Sequence, residues 1–206
     1  MKICGITRLQ DALLAESLGA SAIGFVFAAS PRRVDMDRAA DIARAISIEK
    51  VGVFVNAGLD TVLETKRACG LDVIQLHGDE SPHFCRAVGG RVIKALRFKD
   101  ESVLHRAQDF GNVWKILLDA YVPGIFGGSG QSIKSGLLRQ VADFSHIILA
   151  GGIAASNVKE FMSHHPFGLD VSSGVESEAG IKDEAKMNGL FQLLHTAAQN
   201  GVEPCA

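Results

Sequence analysis

Two residues in this sequence can transfer protons, and each closes an apolar segment. Cys4 stands just before Gly5, and Asp119 ends an apolar run that begins at Ile116. A thiol can act as a base when its surroundings, such as a helix N-terminus, favour the ionised form. A carboxylic acid partly shielded from water favours its neutral form and can donate a proton. The pair predicts acid–base chemistry, against the simpler alternatives of a small buried residue at Cys4 and a helix cap or ion pair at Asp119.

Three segments rich in glycine and serine could bind a phosphate group. Small residues let backbone N–H groups approach an anion closely. Glycine also forms ordinary turns, so one such segment alone is weak, but three in adjacent loops favour phosphate binding. The candidate residues are Gly128, Ser129, Gly130, Gly151, Gly152, Ser172, Ser173 and Gly174.

Other polar residues stand where they could contact a substrate. Arg32 and Arg33 follow a Ser-Pro pair, and a guanidinium can bind a carboxylate through two hydrogen bonds, although adjacent loop arginines are usually solvated. His77 could carry a proton or simply pack and hydrogen-bond the next loop. Asp170 could contact substrate or orient neighbouring loops.

Eight short apolar segments predict β-strands, and most lack the alternation of a half-exposed sheet. They are Lys2–Ile6, Ala22–Phe27, Lys50–Val55, Val73–His77, Val92–Arg97, Lys115–Asp119, His146–Ala150 and Gly168–Val171. Amphipathic segments between and after them predict helices. These are Leu9–Leu18, Met36–Ile46, Leu59–Cys69, Ser81–Val88, Glu101–Phe110, Gly136–Asp143, Ser156–His164 and Asp183–Ala198.

Eight strands alternating with eight helices predict an α/β fold, a single closed (β/α)8 barrel (a TIM barrel). We expect one domain over residues 1–206, with a short polar tail from about residue 199. Active sites of such barrels lie at the C-terminal ends of the strands. That rule gathers Cys4, His77, Asp119 and the glycine-rich loops at one end of the molecule.

The composition excludes several classes of protein. A net charge of −2 gives no electrostatic reason to expect nucleic acid or an anionic membrane as partner. The longest apolar runs fall well short of the roughly 18 residues that cross a bilayer, and the first residues do not form a signal peptide. Cys4, Cys69, Cys85 and Cys205 lack metal-site spacing and are too few for a disulfide framework. We therefore expect a cytoplasmic enzyme with reduced thiols, no bound metal and a small phosphorylated substrate.

From the second residue to the last helix, the sequence resembles the phosphoribosylanthranilate isomerase family. The most specific motifs are K-I-C-G-I-T at 2–7 and D-V-S-S-G-V-E at 170–176. Further matches are G-F-V-F at 24–27, S-P-R-R at 30–33, V-G-V-F-V-N at 51–56, Q-L-H-G at 75–78, L-L-D at 117–119, G-G-S-G at 127–130 and A-G-G at 150–152. The chain departs from the family at Ile133-Lys134-Ser135, where Phe-Asp-Trp is usual, and at Ala179, where proline is frequent.

The resemblance implies an Amadori rearrangement in tryptophan biosynthesis, without metal or organic cofactor, by a monomer or homodimer. N-(5-phosphoribosyl)anthranilate would become 1-(2-carboxyphenylamino)-1-deoxyribulose 5-phosphate. Asp119 would protonate the ring oxygen of the sugar, Cys4 would take the proton from its second carbon, and Arg33 would hold the anthranilate carboxylate. The glycine-rich loops would hold the phosphate.

Other interpretations stay open beside this one. Indoleglycerol-phosphate synthase would be expected to carry inner lysine and glutamate residues, and only Lys94 is such a lysine candidate on the fifth strand. A histidine-pathway sugar isomerase would use paired aspartates, one of them near the end of the first strand, where this chain has Cys4. A non-catalytic phosphosugar sensor would keep the glycine loops but would not need Cys4 together with Asp119.

Overall fold

The computed structural model describes residues 1–120, 133 and 135–199 of the chain. Eight parallel strands form a closed barrel in chain order, and the last strand pairs with the first. The strands are β1 (Lys2–Cys4), β2 (Ala22–Val26), β3 (Glu49–Phe54), β4 (Val73–Leu76), β5 (Val92–Phe98), β6 (Lys115–Ala120), β7 (Ile147–Leu149) and β8 (Gly168–Val171). The predicted (β/α)8 barrel is therefore confirmed.

A helix follows every strand of the barrel, as predicted. The helices are α1 (Leu9–Ser17), α2 (Met36–Arg44), α3 (Leu59–Ala68), α4 (Pro82–Val88), α5 (Ser102–Gln108), α6 (Ser135–Leu138), α7 (Val158–Met162) and α8 (Glu184–Gln199). Asp35 and Ser81 cap α2 and α4, because their side-chain oxygens accept the N–H groups of Arg38 and Phe84. Helices α6 and α7 are shorter than the predicted Gly136–Asp143 and Ser156–His164.

The sequence patterns do not predict the segment between β8 and α8. A short 3-10 helix (Ser173–Val175) leads into an antiparallel hairpin of β9 (Glu176–Glu178) and β10 (Ile181–Lys182). The hairpin contacts the first loop of the barrel, because the Thr7 hydroxyl and the Gly180 carbonyl form a hydrogen bond of 2.5 Å. The hairpin therefore lies beside the loop that follows β1.

Two apolar layers hold the barrel together and decide which side chains point inwards. The larger layer lies between strands and helices, and the smaller consists of strand residues such as Val51, Val73 and Leu117, with Trp114 and Phe167 packed against it. Side chains two residues apart on a strand share a face. Asp119 therefore points into the barrel like Leu117. None of the described helices is long and apolar enough to cross a membrane.

Candidate active site

A cavity of about 670 Å³ opens at the C-terminal ends of the strands. This volume lies within the range of small-molecule binding sites. Its wall includes eight residues that the sequence singles out: Cys4, His77, Asp119, Gly151, Gly152, Asp170, Ser172 and Ser173. The structure thus brings the thiol of β1 and the carboxyl of β6 to one cavity.

Cys4 ends β1 and is buried, with 8% of its surface exposed. Its neighbour in the barrel register is Gly24 of β2, where an added Cβ would lie 2.8 Å from the Cys4 sulfur. Glycine at this position therefore leaves the space that the sulfur occupies. Burial raises the pKa of the Cys4 thiol, and the negative charge of Asp170 acts in the same direction, whereas the Lys2 ammonium acts against both.

Asp119 accepts a hydrogen bond from the backbone of the next residue, and it lies beside a histidine that follows β4. Its Oδ1 accepts the N–H of Ala120 at 2.8 Å, and its Oδ2 lies 3.2 Å from Nε2 of His77 without the alignment of a hydrogen bond. Gln75 places its amide nitrogen 3.1 Å from Nδ1 of His77. With the amide in this orientation, a neutral His77 carries its proton on Nε2, facing Asp119. Asp119 thus keeps one oxygen directed to the cavity beside a hydrogen-bond donor.

Among the described residues, three buried polar side-chain atoms have no hydrogen-bond partner, and all three belong to residues of this cavity wall. They are Oε1 of Gln75, Nε2 of His77 and Oγ of Ser172. Buried polar groups in proteins are nearly always paired, so unpaired ones are expected where a ligand supplies the partner. The cavity therefore has the character of a binding site for a polar molecule that carries hydrogen-bond donors and acceptors.

The predicted phosphate-binding residues do not all share one environment. Gly151, Gly152, Ser172 and Ser173 line the cavity, whereas Gly174 packs against backbone. A Cβ on Gly174 would come within 1.9 Å of the Ile153 carbonyl oxygen. Gly128, Ser129 and Gly130 lie outside the described residues.

Gly151 also has a second reason to be glycine. Its φ of 88° favours glycine, and a Cβ there would lie 2.9 Å from Oδ1 of Asp119 and 2.7 Å from the Ala120 nitrogen. The loop after β7 therefore packs directly against the carboxyl of β6.

The structure brings Arg32, and not Arg33, to the cavity wall. Arg33 is exposed, and its backbone N–H bonds the Ser30 carbonyl in a tight turn. Arg32 lies over Gly5, where an added Cβ would come within 2.7 Å of its Cδ. Arg33 is not among the residues of the cavity wall, and its expected contact with the carboxylate stays a prediction.

Glu176 fixes the Arg32 guanidinium at the edge of the cavity. Nε and Nη2 of Arg32 donate to the Glu176 carboxylate at 2.7 to 3.1 Å, and no described hydrogen bond involves Nη1. Lys182 donates to the same carboxylate at 2.8 Å and to the Cys4 carbonyl at 2.6 Å. Burial raises the pKa of Glu176, but Arg32 and Lys182 outweigh it and hold that pKa below its ordinary value. The hairpin after β8 is thus tied to both Arg32 and the end of β1.

Sequence reasoning missed Gln75, which lines the cavity, and Lys2, which lies beneath Cys4 on β1, and it assigned the carboxylate to Arg33 and not to Arg32. Strand alternation could have identified Lys2 and Gln75, because each lies two residues before a predicted site residue and therefore points to the same side. Lys2 forms a buried ion pair with Asp170, at 2.9 Å. No local pattern distinguishes Arg32 from Arg33.

Fold and site together define a (β/α)8-barrel enzyme with a thiol and a carboxyl at one cavity. A family model described as N-(5'phosphoribosyl)anthranilate (PRA) isomerase matches residues 1–193. The chain belongs to this family. It is 46% identical over 197 residues to the N-(5'-phosphoribosyl)anthranilate isomerase of Pelobacter propionicus, covering 94% of both chains.

Solved structures of this family have the same fold. The phosphoribosyl anthranilate isomerase of Thermus thermophilus superimposes with a TM-score of 0.87 at 39% identity, over 95% of this chain and 98% of that one. Another phosphoribosyl anthranilate isomerase, solved with reduced 1-(o-carboxyphenylamino)-1-deoxyribulose 5-phosphate, gives 0.79 at 33% identity, over 93% and 95%.

Proposed function

We propose that this chain catalyses the Amadori rearrangement of N-(5-phosphoribosyl)anthranilate to 1-(2-carboxyphenylamino)-1-deoxyribulose 5-phosphate, a step of tryptophan biosynthesis. The observation that carries the proposal is the shared cavity of Cys4 and Asp119. Membership of the isomerase family and the bound compound of its solved relative give the substrate.

Asp119 starts the reaction by opening the sugar ring. Its carboxyl proton goes to the ring oxygen, the bond between that oxygen and C1 breaks, and C1 forms a protonated Schiff base with the anthranilate nitrogen. The Nε2 proton of His77 stabilises the carboxylate that remains, 3.2 Å away. Glycine at 151 allows the loop after β7 to cover this carboxyl.

Cys4 completes the proton transfers. Its thiolate removes the proton from C2, and the electron pair moves through C1 to neutralise the Schiff-base nitrogen, which gives an enolamine. The enolamine then takes a proton at C1 and loses the C2 hydroxyl proton, so that a ketone forms at C2. Beyond the opened C1–O bond, the steps move protons and electron pairs within the substrate, so no external oxidant, reductant or organic cofactor takes part.

We assign the two anionic ends of the substrate to different residues of the cavity wall. The phosphate binds the loops after β7 and β8, through Gly151, Gly152, Ser172 and Ser173. The predicted phosphate contacts of Gly128, Ser129 and Gly130 lie outside the described residues and stay predictions. Gly174 lets the last of these loops pack closely. Because Arg32 lines the cavity and Glu176 already orients it, we assign the anthranilate carboxylate to Arg32 in place of Arg33.

The same chemistry gives the setting in which the chain works. Its partner is a small phosphorylated metabolite, neither nucleic acid nor membrane, and we place the enzyme in the cytoplasm as a monomer or homodimer. A solved structure of a relative from Thermotoga maritima is described as monomers generated from a dimeric enzyme. One catalytic domain accounts for all of the assigned residues.

Loss of the substrate's anthranilate fluorescence tests the proposal. The substrate is generated in situ and mixed with wild type, Cys4→Ala or Asp119→Asn. We expect wild type to consume it, and each variant to be slower by roughly 10²-fold or more, the usual contribution of a positioned acid or base. Binding without consumption by the wild type would indicate a sensor. Near-normal turnover of either variant would remove that residue from the mechanism.

A further inference from the structure

We propose that Lys2 is a positioning residue for Cys4, whose ammonium favours the thiolate, and that Asp170 holds the ammonium in place beside the sulfur. This inference rests on the proposed role of Cys4 as the base. It gives a function to a buried lysine that the proton transfers themselves do not use.

Lys2 and Cys4 face the same small space inside the barrel. They lie two residues apart on β1, so their side chains share a face, and both are buried. The space is left by Gly24, where an added Cβ would lie 2.8 Å from the Cys4 sulfur and 3.1 Å from Nζ of Lys2. The sulfur and the ammonium therefore approach the same point beside β2.

Asp170 fixes the ammonium from the neighbouring strand. Lys2 and Asp170 are register partners of β1 and β8, and both carboxylate oxygens lie 2.9 Å from Nζ. A buried lysine is costly unless it is paired and hydrogen-bonded. Burial works against the charge of Lys2, but Asp170 and Cys4 outweigh it and raise the pKa of Lys2 above its ordinary value. The ammonium therefore stays charged next to the sulfur.

Several other charged or titratable groups near the sulfur also influence the ionisation of Cys4. Lys182 approaches from β10, with its Nζ on the Cys4 carbonyl, and Arg32 borders the cavity after β2. Asp119 and His77 line the same cavity as Cys4. Burial and Asp170 raise the pKa of Cys4, whereas Lys2 and Lys182 lower it.

The pair makes a prediction that a merely structural ion pair does not. Removing the ammonium leaves the sulfur beside an unpaired carboxylate, which disfavours the thiolate. Removing the carboxylate leaves the ammonium unopposed, which favours the thiolate. The two substitutions must therefore shift the ionisation of Cys4 in opposite directions, although both break the same ion pair.

Alkylation of Cys4 by iodoacetamide measures this ionisation directly. The rate is followed against pH by mass spectrometry of the peptide that contains Cys4, in wild type, Lys2→Met, Lys2→Arg and Asp170→Asn. Lys50→Met is the matched control, because Lys50 pairs with Asp72 at 3.0 Å on a different strand. Circular dichroism confirms that each protein is folded.

We expect Lys2→Met to move the midpoint of the alkylation profile to higher pH. A shift of about one pH unit slows alkylation about tenfold at pH values below the midpoint. Asp170→Asn should move the midpoint to lower pH, Lys2→Arg should lie between wild type and Lys2→Met, and Lys50→Met should match wild type. A folded Lys2→Met with an unchanged midpoint, or midpoints that move in the same direction in Lys2→Met and Asp170→Asn, would overturn the inference. If Lys2→Met does not fold, an unchanged or raised midpoint in Asp170→Asn overturns it.

The turnover of Cys4→Ala separates this inference from the proposed function. An inactive Cys4→Ala with unchanged midpoints in the Lys2 variants removes Lys2 and leaves Cys4 as the base. If Cys4→Ala is active, Cys4 is not the base, and the proposed mechanism itself is wrong.

Discussion

Substitution of Gly24 by alanine adds one methyl group to the space that the Cys4 sulfur and the Lys2 ammonium share. The added Cβ would lie 2.8 Å from the sulfur, 3.0 Å from Cε of Lys2 and 3.1 Å from its Nζ, whereas ordinary contacts begin at 3.4 Å. The sulfur must therefore retreat by 0.6 Å if the backbone stays in place. Gly24 does not have a positive φ, so the perturbation comes from packing alone.

The size of the effect follows from this displacement. Adding a methyl group to a filled interior typically costs about 1–3 kcal/mol of stability. A misplacement of about 1 Å at a reacting group can lower the rate about 10²-fold. We therefore expect Gly24→Ala to reduce kcat by about 10- to 100-fold and to change KM less.

Gly189→Ala is the control, because the Cβ that it would add to α8 has no described atom within 4 Å apart from its chain neighbours and the nearby helix backbone. It should keep wild-type kcat and gain up to about 1 kcal/mol of stability from helix propensity. Fluorescence-monitored turnover and urea unfolding measure both quantities. A folded Gly24→Ala with wild-type kcat would refute the tight packing of sulfur and ammonium around Gly24.

Two further predictions concern the Arg32 side of the cavity. Arg32→Ala should raise KM by about 10- to 100-fold, because a hydrogen bond to a charged group contributes about 1.5–3 kcal/mol of binding free energy. Arg33→Ala should leave KM nearly unchanged. If steady-state kinetics show the larger KM for Arg33→Ala, the carboxylate binds Arg33. Glu176 has a lowered pKa in the folded state, so its stabilisation is present above its ordinary value of 4.5 and is lost as pH falls through the folded pKa. Glu176→Gln should therefore cost about 3–5 kcal/mol in urea unfolding at pH 7 and less at pH 3.5, and an equal cost at both pH values would contradict the pairing with Arg32 and Lys182.

The part of the site that lies on the strands could be predicted from the sequence, because strand periodicity determines which side chains point into the barrel. Cys4 and Asp119 close apolar strands, and the C-terminal ends of barrel strands meet at one face, so their meeting in a cavity follows from the pattern. The same periodicity also carries Lys2 and Gln75 into the barrel, which becomes clear once the inner face of each strand is known.

Loop geometry accounts for what could not be predicted. The choice between Arg32 and Arg33 depends on the turn at Ser30 and on the carboxylate of Glu176, which is far away in sequence. In the sequence, Gly151 indicates a loop whose backbone can approach an anion. Only the structure shows that Gly151 also leaves space for the carboxyl of Asp119. The β9–β10 hairpin has only five residues in strands, too few for a periodic signal.

A crystal structure of this chain with reduced 1-(o-carboxyphenylamino)-1-deoxyribulose 5-phosphate tests the central claim most directly, because that compound has both reacting positions. We predict the Cys4 sulfur beside C2 and an Asp119 oxygen at hydrogen-bond distance, about 2.6–3.2 Å, from the C4 hydroxyl that was the ring oxygen. The phosphate should lie at the loops after β7 and β8. A bound compound with C2 remote from Cys4, or with Asp119 away from the C4 hydroxyl, would contradict the assignment of these two residues as base and acid.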